Sequence, residues 1–376
     1  MILNEQLTLL INTGLKGDKL AFARQAAKLA RAYEASGLTE LAEKIRSQIQ
    51  DKDAALHLQR ASKPFTPSFE QVQSLPTDKE TKFELGDITH PEKNSKKPKL
   101  REKTIKKIEE FITFVKRSQE LKNAGIGITP SMLLFGPPGC GKTLAAHHIA
   151  SELNLPLITA RCDSLVSSYL GSTSKNIRQL FDYASQKPCV LFLDELDSLA
   201  KARDDQHELG ELKRVVVSLL QNIDTLPEET VLISASNHES LLDSAIWRRF
   251  EYRIPVELPD MRVRKELFEA FPIISSYCEN ISTDLALISD GLSCAFIEQC
   301  CLRSIRHALI YNNNSLDICF LIVNILESKG HSCDSEDEWI TFIVTSLRNC
   351  DSKAFTIRKI AKMLQLSAAK VSRLTK

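Results

Sequence analysis

A glycine-rich segment followed by Lys-Thr has the spacing of a phosphate-binding loop. Gly136, Gly141, Lys142 and Thr143 fit the pattern G-x-x-x-x-G-K-[ST], between an apolar run that begins at Met132 and a helical pattern. Glycines allow backbone N–H groups to approach phosphate oxygens closely, and the dipole of the following helix adds to the attraction. Lys142 is expected to contact the β- and γ-phosphates of a nucleotide and Thr143 to ligate Mg²⁺. The residues predicted to bind the nucleotide are Gly136, Pro137, Pro138, Gly139, Cys140, Gly141, Lys142, Thr143 and Leu144.

A second apolar run, residues 191–193, ends in two acids, Asp194 and Glu195. A carboxylate in this place can hold Mg²⁺ through its water shell, which is the role predicted for Asp194. Glu195 is predicted to polarise the water that attacks the γ-phosphate. Two solvated acids at a strand end are the alternative, and the upstream phosphate loop weighs against it.

Two further polar sites follow apolar runs. Asn237 comes directly after one of them and is predicted to donate to the γ-phosphate, although an asparagine after a strand also serves ordinary turns. Arg248 and Arg249 stand beside bulky apolar residues, where a guanidinium group is costly to bury without an anionic partner. Either a phosphate from a neighbouring subunit or an ordinary carboxylate would supply that partner.

These residues require a scaffold that brings them to one edge. Strand-like runs alternate with helical patterns, which is typical of a parallel sheet covered by helices. Ligands of such sheets bind at the carboxyl ends of the strands, which is where the acids and Asn237 fall. The predicted strands are residues 132–135, 156–160, 189–193 and 230–235.

The composition is that of an ordinary globular chain. It has 376 residues, 43% of them hydrophobic and 26% charged, with a formal net charge of +1 that favours neither nucleic acid nor a membrane surface. Ten cysteines without a Cys-x-x-Cys pair or zinc spacing predict reduced thiols in a cytoplasmic protein. The N-terminus does not resemble a secretory signal, and no apolar stretch is long enough to span a bilayer.

The flanking regions are of a different kind. Residues 1–62 have helical periodicity and predict a helical module, either for docking a partner or as a plain structural extension. Residues 63–100 carry five prolines in a polar stretch and predict a linker. The basic run from Lys93 to Lys107 is either a contact to nucleic acid or a solvated linker that enters an amphipathic helix.

The last part of the chain, residues 335–376, predicts a helix-turn-helix in which Ser367 caps the second helix. From Ser352 to Lys376 there are seven Lys/Arg and no acidic residue, a balance that suits contact with DNA phosphates. A winged-helix-like module for protein interaction is the alternative.

Residues 101–330 resemble the AAA ATPases. The glycine-rich loop corresponds to the Walker A motif of that family, residues 191–195 to Walker B, Asn237 to sensor 1, and residues 243–250 to the second region of homology. The resemblance implies Mg²⁺-dependent ATP hydrolysis in a homo-oligomeric ring, usually a hexamer. Arg248 and Arg249 then correspond to arginine fingers that reach the ATP of the adjacent protomer.

The resemblance also divides the region and indicates a substrate. It implies a large ATPase subdomain at 101–258 and a helical lid at 259–330, with the turn 291–295 near the nucleotide. Tyr169 and Leu170 resemble the first pore loop, whose aromatic ring grips an extended polypeptide with little demand on sequence. Some bacterial and prophage AAA proteins accompany a separate protease subunit, which by analogy is a further expected partner.

The sequence therefore predicts an α/β fold: a P-loop, three-layer parallel-sheet core with a helical lid, an N-terminal helical module and a C-terminal helix-turn-helix. Two functions compete for the ATP cycle. One is the remodelling or threading of a polypeptide through a central pore. The other is a DNA-binding regulatory or DNA-transaction ATPase that uses the helix-turn-helix.

Overall fold

The computed structural model describes residues 33, 75–76, 84–90, 97–165, 170–198, 209–278, 280–311 and 315–375. The predicted helical module at 1–62 lies outside the described residues, except for Tyr33, which is helical. The same is true of most of the predicted linker and of Tyr169.

Within these residues the chain forms a six-stranded sheet with the order β1-β3-β4-β5-β2-β6. Strands β2 to β6 are mutually parallel, and β1 is an antiparallel edge strand against β3. The four predicted strands are present, as is the predicted α/β architecture, whereas β1 and β6 were not predicted. The strands are β1 Asp87–Thr89, β2 Ser131–Phe135, β3 Leu157–Arg161, β4 Cys189–Asp194, β5 Thr230–Ser236 and β6 Tyr252–Pro255.

Helices cover both faces of the sheet because successive side chains of a buried strand point to opposite sides. In β2, Met132 and Leu134 belong to one hydrophobic cluster together with Ile149 of α3, whereas Leu133 belongs to a second cluster with Phe181 of α5. The helices of this part are α1 Glu102–Lys116, α2 Ser118–Asn123, α3 Lys142–Leu153, α4 Cys162–Leu165, α5 Leu170–Ala184, α6 Leu209–Asp224 and α7 Ser244–Trp247.

The chain after β6 is helical and has a hydrophobic core of its own. Phe268, Leu321, Val344 and Val371 are all buried in this one core, although they come from both the predicted lid and the predicted C-terminal segment. The helices are α8 Met261–Glu269, α9 Pro272–Ser275, α10 Ile281–Ile288, α11 Cys294–Tyr311, α12 Ile318–Glu327, α13 Glu336–Cys350, α14 Ile357–Met363 and α15 Ala368–Leu374. The boundary that the sequence predicts between the lid and the C-terminal segment stays a prediction.

The last two helices meet in a tight turn. Gln365 adopts a left-handed backbone with φ of 54°, and the Leu366 N–H donates to the Ala361 carbonyl at 2.9 Å, which closes the end of α14. The Ser367 hydroxyl caps α15 by accepting from the Lys370 N–H, as expected from the sequence. Recognition of DNA by this segment stays a prediction. None of the helices in the described ranges is long and apolar enough to cross a membrane.

Candidate functional site

The glycine-rich loop connects β2 to α3 at the carboxyl edge of the sheet. Gly136, Gly139 and Gly141 all have positive φ, at 143°, 72° and 98°, which is a conformation that side chains strongly disfavour. Gly136 also packs against backbone, since a Cβ atom there would collide with the carbonyl oxygen of Val256. The loop therefore needs glycine both for its torsion angles and for its close contact with the end of β6.

Lys142, the first residue of α3, is 7% exposed and is folded over the loop. Its ammonium group donates to the carbonyl oxygens of Gly136 at 2.7 Å and Pro137 at 2.9 Å. Burial lowers the pKa of Lys142, and the nearby carboxylates of Asp194 and Asp197 oppose that shift. The cation is thus held at the loop by neutral acceptors that a phosphate group can replace.

Thr143 and Asp194 meet in front of this loop. The Thr143 hydroxyl donates to Asp194 Oδ2 at 3.1 Å, and the other carboxylate oxygen, Oδ1, accepts the Glu195 N–H at 3.0 Å. One hydroxyl oxygen and one carboxylate are hard donors of the kind that Mg²⁺ takes beside phosphate oxygens and water. The donor set therefore fits the Mg²⁺ ion that the sequence predicts.

Glu195 and Asn237 follow adjacent strands, and both are half-buried at this edge. Glu195 has φ of 55°, a left-handed backbone that is strained for a residue other than glycine. Immediately after it, the Leu196 N–H donates to the Ala235 carbonyl at 2.9 Å and joins the ends of β4 and β5. The Gly136 N–H donates to the Ser236 carbonyl at 3.2 Å, so the phosphate loop joins the same edge.

The lid touches the phosphate loop directly. The Ala295 N–H donates to the Gly139 carbonyl at 3.0 Å, and a Cβ at Gly139 would lie 2.8 Å from both Ala295 Cβ and Ser293 Oγ. Burial raises the pKa of the Cys294 thiol, in the same turn, to about 12, and its sulfur lies 3.9 Å from the Lys99 carbonyl. The thiol therefore stays protonated and packs as a small apolar group.

Residues 97–101, at the end of the predicted linker, are part of the site. The sequence did not predict this contribution. Leu100 is 4% exposed and would meet a Cβ at Gly141 at 3.6 Å. Arg101 donates to the Leu258 carbonyl at 2.7 Å and to Glu257 at 2.6 Å. This short segment thus fastens the phosphate loop to the junction between sheet and lid. An isolated leucine after a run of lysines and a proline, Leu100, is the sequence feature that could have indicated this contact.

Arg248 and Arg249 lie at the opposite, amino-terminal edge of the sheet. Arg249 forms a bidentate pair with Asp224 of α6, at 3.0 Å and 3.1 Å, and this pair raises the pKa of the guanidinium. Arg248 is exposed. Both line a cavity of about 610 Å³ together with Asp224, Glu228 and Glu251. The structure therefore does not bring the arginines to the phosphate loop of the same chain.

The part of the chain that builds the carboxyl edge of the sheet matches a known protein family. Residues 132–258 match the model of the family described as "ATPase family associated with various cellular activities (AAA)". The chain contains an AAA ATPase domain. Its matched part begins in β2 and ends after β6, so it includes the phosphate loop, the acid pair, Asn237 and both arginines.

Three of the relatives that the chain matches come from bacteria and archaea. An uncharacterized AAA family ATPase, y4kL, of Sinorhizobium fredii is 42% identical over 52% of this chain and 59% of its own length. A putative 26S proteasome regulatory subunit homolog of Methanocaldococcus jannaschii is 38% identical over 38% of this chain and 39% of its own length. A cell division cycle protein 48 homolog of Archaeoglobus fulgidus is 36% identical over 50% of this chain and 26% of its own length. The alignments thus span less than two thirds of each relative.

One predicted site of the AAA domain is not tested by the structure. Tyr169 lies outside the described residues, and Leu170 is the first residue of α5, with no description of its side chain. The pore-loop assignment therefore stays a prediction from the sequence.

Proposed function

We propose that this chain hydrolyses ATP to ADP and phosphate with Mg²⁺. The contact of Thr143 with Asp194 carries the proposal, because it joins the helix after the phosphate loop to the last residue of β4, directly before Glu195. In this proposal Lys142 and the loop N–H groups hold the β- and γ-phosphates, and Thr143 and Asp194 hold the metal ion. Bound Mg²⁺ would neutralise charge on the phosphates.

The proposed chemistry belongs to two side chains at the end of β4 and β5. Glu195 accepts a proton from the water that attacks the γ-phosphate, and the proton then leaves with the inorganic phosphate or to solvent. Asn237 donates a hydrogen bond from its amide to the γ-phosphate and keeps the water in line. Their adjacent strands, joined by the Leu196 to Ala235 hydrogen bond, support this division of roles.

We further propose that Arg248 and Arg249 act on the nucleotide of a neighbouring copy, in a ring that is a hexamer. Their place at the amino-terminal edge, beside the cavity of about 610 Å³, supports action in trans, because the phosphate loop of their own chain is at the other edge. The ring would thread a polypeptide past Tyr169 and Leu170, with a protease as a possible separate subunit. That threading role rests on the sequence alone, and the putative 26S proteasome regulatory subunit homolog among the relatives supports a protease as the partner.

DNA is the second candidate ligand. Arg358, Lys362 and Arg373 are exposed on α14 and α15, which favours contact with phosphates. Lys359 and Lys370, in contrast, are 2.5 Å and 3.8 Å from the carboxylates of Asp284 and Asp337. Two of the five cations on α14 and α15 are thus already paired with carboxylates, so we prefer the polypeptide as the substrate.

A Glu195→Gln variant tests the ATPase proposal. It should bind ATP as the wild type does and hydrolyse it roughly 100-fold or more slowly, since general-base catalysis contributes on that order. Glu120→Gln, on an exposed turn of α2, is the matched control and should leave turnover unchanged. Equal turnover in Glu195→Gln and wild type would remove Glu195 from the mechanism.

The Glu195→Gln variant also distinguishes the two candidate substrates, a polypeptide and DNA. Purified Glu195→Gln with ATP should retain an unfolded polypeptide probe, and Tyr169→Ala should lose this retention while keeping basal hydrolysis. If duplex DNA stimulates hydrolysis and Tyr169→Ala changes nothing, the threading proposal is wrong. Replacing Arg358, Lys362 and Arg373 by alanine should then abolish the stimulation by DNA.

A further inference from the structure

Asp197 is a carboxylate buried next to the proposed nucleotide site, with 3% of its surface exposed. It lies in the turn after β4, which is closed by the Ser198 N–H donating to the Glu195 carbonyl at 2.9 Å. The hydrogen bond from Leu196 to Ala235 aligns this turn with the end of β5. A buried carboxylate is costly unless it is hydrogen-bonded, so its partners indicate what it does.

Its described partners belong to the segment that carries Asn237. Asp197 Oδ1 accepts the Asn237 N–H at 3.1 Å and the Ser236 hydroxyl at 3.3 Å. The same Ser236 hydroxyl accepts the His238 N–H at 3.2 Å. Hydrogen bonds to an ionised acceptor are stronger than neutral ones. The carboxylate thus holds the backbone of Asn237 directly and that of His238 through the Ser236 hydroxyl.

The arrangement repeats the one that holds Glu195. Asp194 Oδ1 accepts the N–H of Glu195, and Asp197 Oδ1 accepts the N–H of Asn237. Each residue proposed to act on the γ-phosphate or its attacking water thus has its backbone N–H fixed by an aspartate at the end of β4 or in the turn after it. Backbone position sets where a short amide side chain ends, and catalysis is sensitive to displacements of about 1 Å.

We infer that Asp197 is a positioning residue of the ATPase site, which holds the Asn237 amide in line with the γ-phosphate. The inference rests on the proposed function, because it assigns Asp197 a role through Asn237. The two aspartates then have different roles. Asp197 supports the amide donor Asn237, and Asp194 belongs to the proposed metal site.

A double-mutant cycle on the full-length chain tests this role. Asp197→Ala should lower kcat about 10- to 100-fold, as expected for a misplaced catalytic group, while KM for ATP changes less than about threefold. Asp197→Asn keeps an oxygen acceptor for the Asn237 N–H and should recover most of kcat. Adding Asp197→Ala to Asn237→Ala should reduce kcat no further than Asn237→Ala alone, because the two residues act as one unit.

Several outcomes would overturn the inference. The first is a kcat of the double variant that falls by the product of the two single reductions. The second is a kcat that Asp197→Asn does not recover. The third is a KM for ATP that rises in Asp197→Ala while kcat stays unchanged. If Asp197→Ala does not fold, Ser236→Ala removes one donor to the carboxylate and should show a smaller loss of kcat with the same coupling to Asn237. A folded wild-type chain without ATPase activity would refute the proposed function, whereas an active wild type with an additive cycle refutes only the role of Asp197.

Discussion

The hydroxyl group of Ser131 donates a hydrogen bond of 3.0 Å to the carbonyl oxygen of Arg249 and accepts the N–H of Glu251 at 3.1 Å. Ser131 is the first residue of β2, and the phosphate loop follows the last residue, Phe135. The five residues of β2 span roughly 13 Å, so the arginine backbone is fixed at that distance from the loop.

This separation predicts complementation between two inactive variants. A mixture of Arg249→Ala and Lys142→Ala chains should hydrolyse ATP, because an interface forms between an intact nucleotide site and an intact arginine. Steady-state ATPase activity across mixing ratios is the measurement. Lys142→Ala mixed with Glu195→Gln is the control and should stay inactive, since every site in that mixture is damaged. Full activity of a strict monomer would contradict the prediction.

The contact of Thr143 with Asp194 predicts a metal requirement. EDTA should abolish hydrolysis and Mg²⁺ should restore it. Thr143→Ser keeps the hydroxyl that lies 3.1 Å from Asp194 and should stay active, whereas the isosteric Thr143→Val should lose about 100-fold or more in turnover at low Mg²⁺. Titration of activity against Mg²⁺ concentration measures the effect. An unchanged Mg²⁺ dependence in Thr143→Val would exclude Thr143 as a ligand.

The contact between Gly139 and the lid predicts a specific sensitivity to one methyl group. Gly139→Ala should impair hydrolysis at least tenfold, because its Cβ would lie 2.8 Å from Ser293 Oγ and Ala295 Cβ. Gly330→Ala is the matched control, with φ of 88° and nothing within 4 Å of the added Cβ. It should lower the free energy of unfolding by about 1 kcal/mol and leave kcat unchanged. If Gly330→Ala lost as much activity as Gly139→Ala, backbone strain would explain the loss and the contact with the lid would not.

The pair formed by Asp284 and Lys359 predicts a pH-dependent loss of stability. The Asp284 side chain is 3% exposed and accepts from Lys359 Nζ at 2.5 Å, and burial raises the pKa of this carboxyl while Lys359 opposes the shift. Lys359→Met should lower the free energy of unfolding by about 2 kcal/mol at pH 7, because a buried charge loses its partner. The deficit should shrink as pH falls, since the raised pKa makes the folded state take up a proton before the unfolded state does.

Denaturant unfolding at pH 7 and pH 5 measures this effect. Lys370→Met is the control, because Lys370 lies 3.8 Å from an Asp337 side chain that is 92% exposed. Such a surface pair should contribute less than about 0.5 kcal/mol at either pH. A deficit in Lys359→Met that does not change with pH would contradict the role of Asp284.

The sequence predicted the parts of the site that are encoded locally. The spacing of the glycines predicted the phosphate loop, because backbone torsion angles in a loop depend on the residue types there. The apolar runs predicted where β4 and β5 end, because buried strands are apolar along their own length. The bond between Asp197 and Asn237 joins residues 40 positions apart, and no local pattern reports such a pair. Strand β6 was missed because Tyr252 and Arg253 stay accessible on an edge strand.

The shared helical core was missed for a related reason. The helical periods around Leu321 and Val371 each indicate an apolar face, but not that the two faces meet. Pairing of distant amphipathic faces depends on shape, which a period does not encode.

Helix α11 of the predicted lid is long and begins beside the phosphate loop. It begins at Cys294, next to the residue that bonds the Gly139 carbonyl, and its 18 residues are about 27 Å long. A tilt of about 10° at the phosphate loop would therefore displace the far end by about 5 Å. Leu309, Ile310 and Tyr311 are exposed at that far end, so such a tilt would move this apolar group by about the length of a side chain.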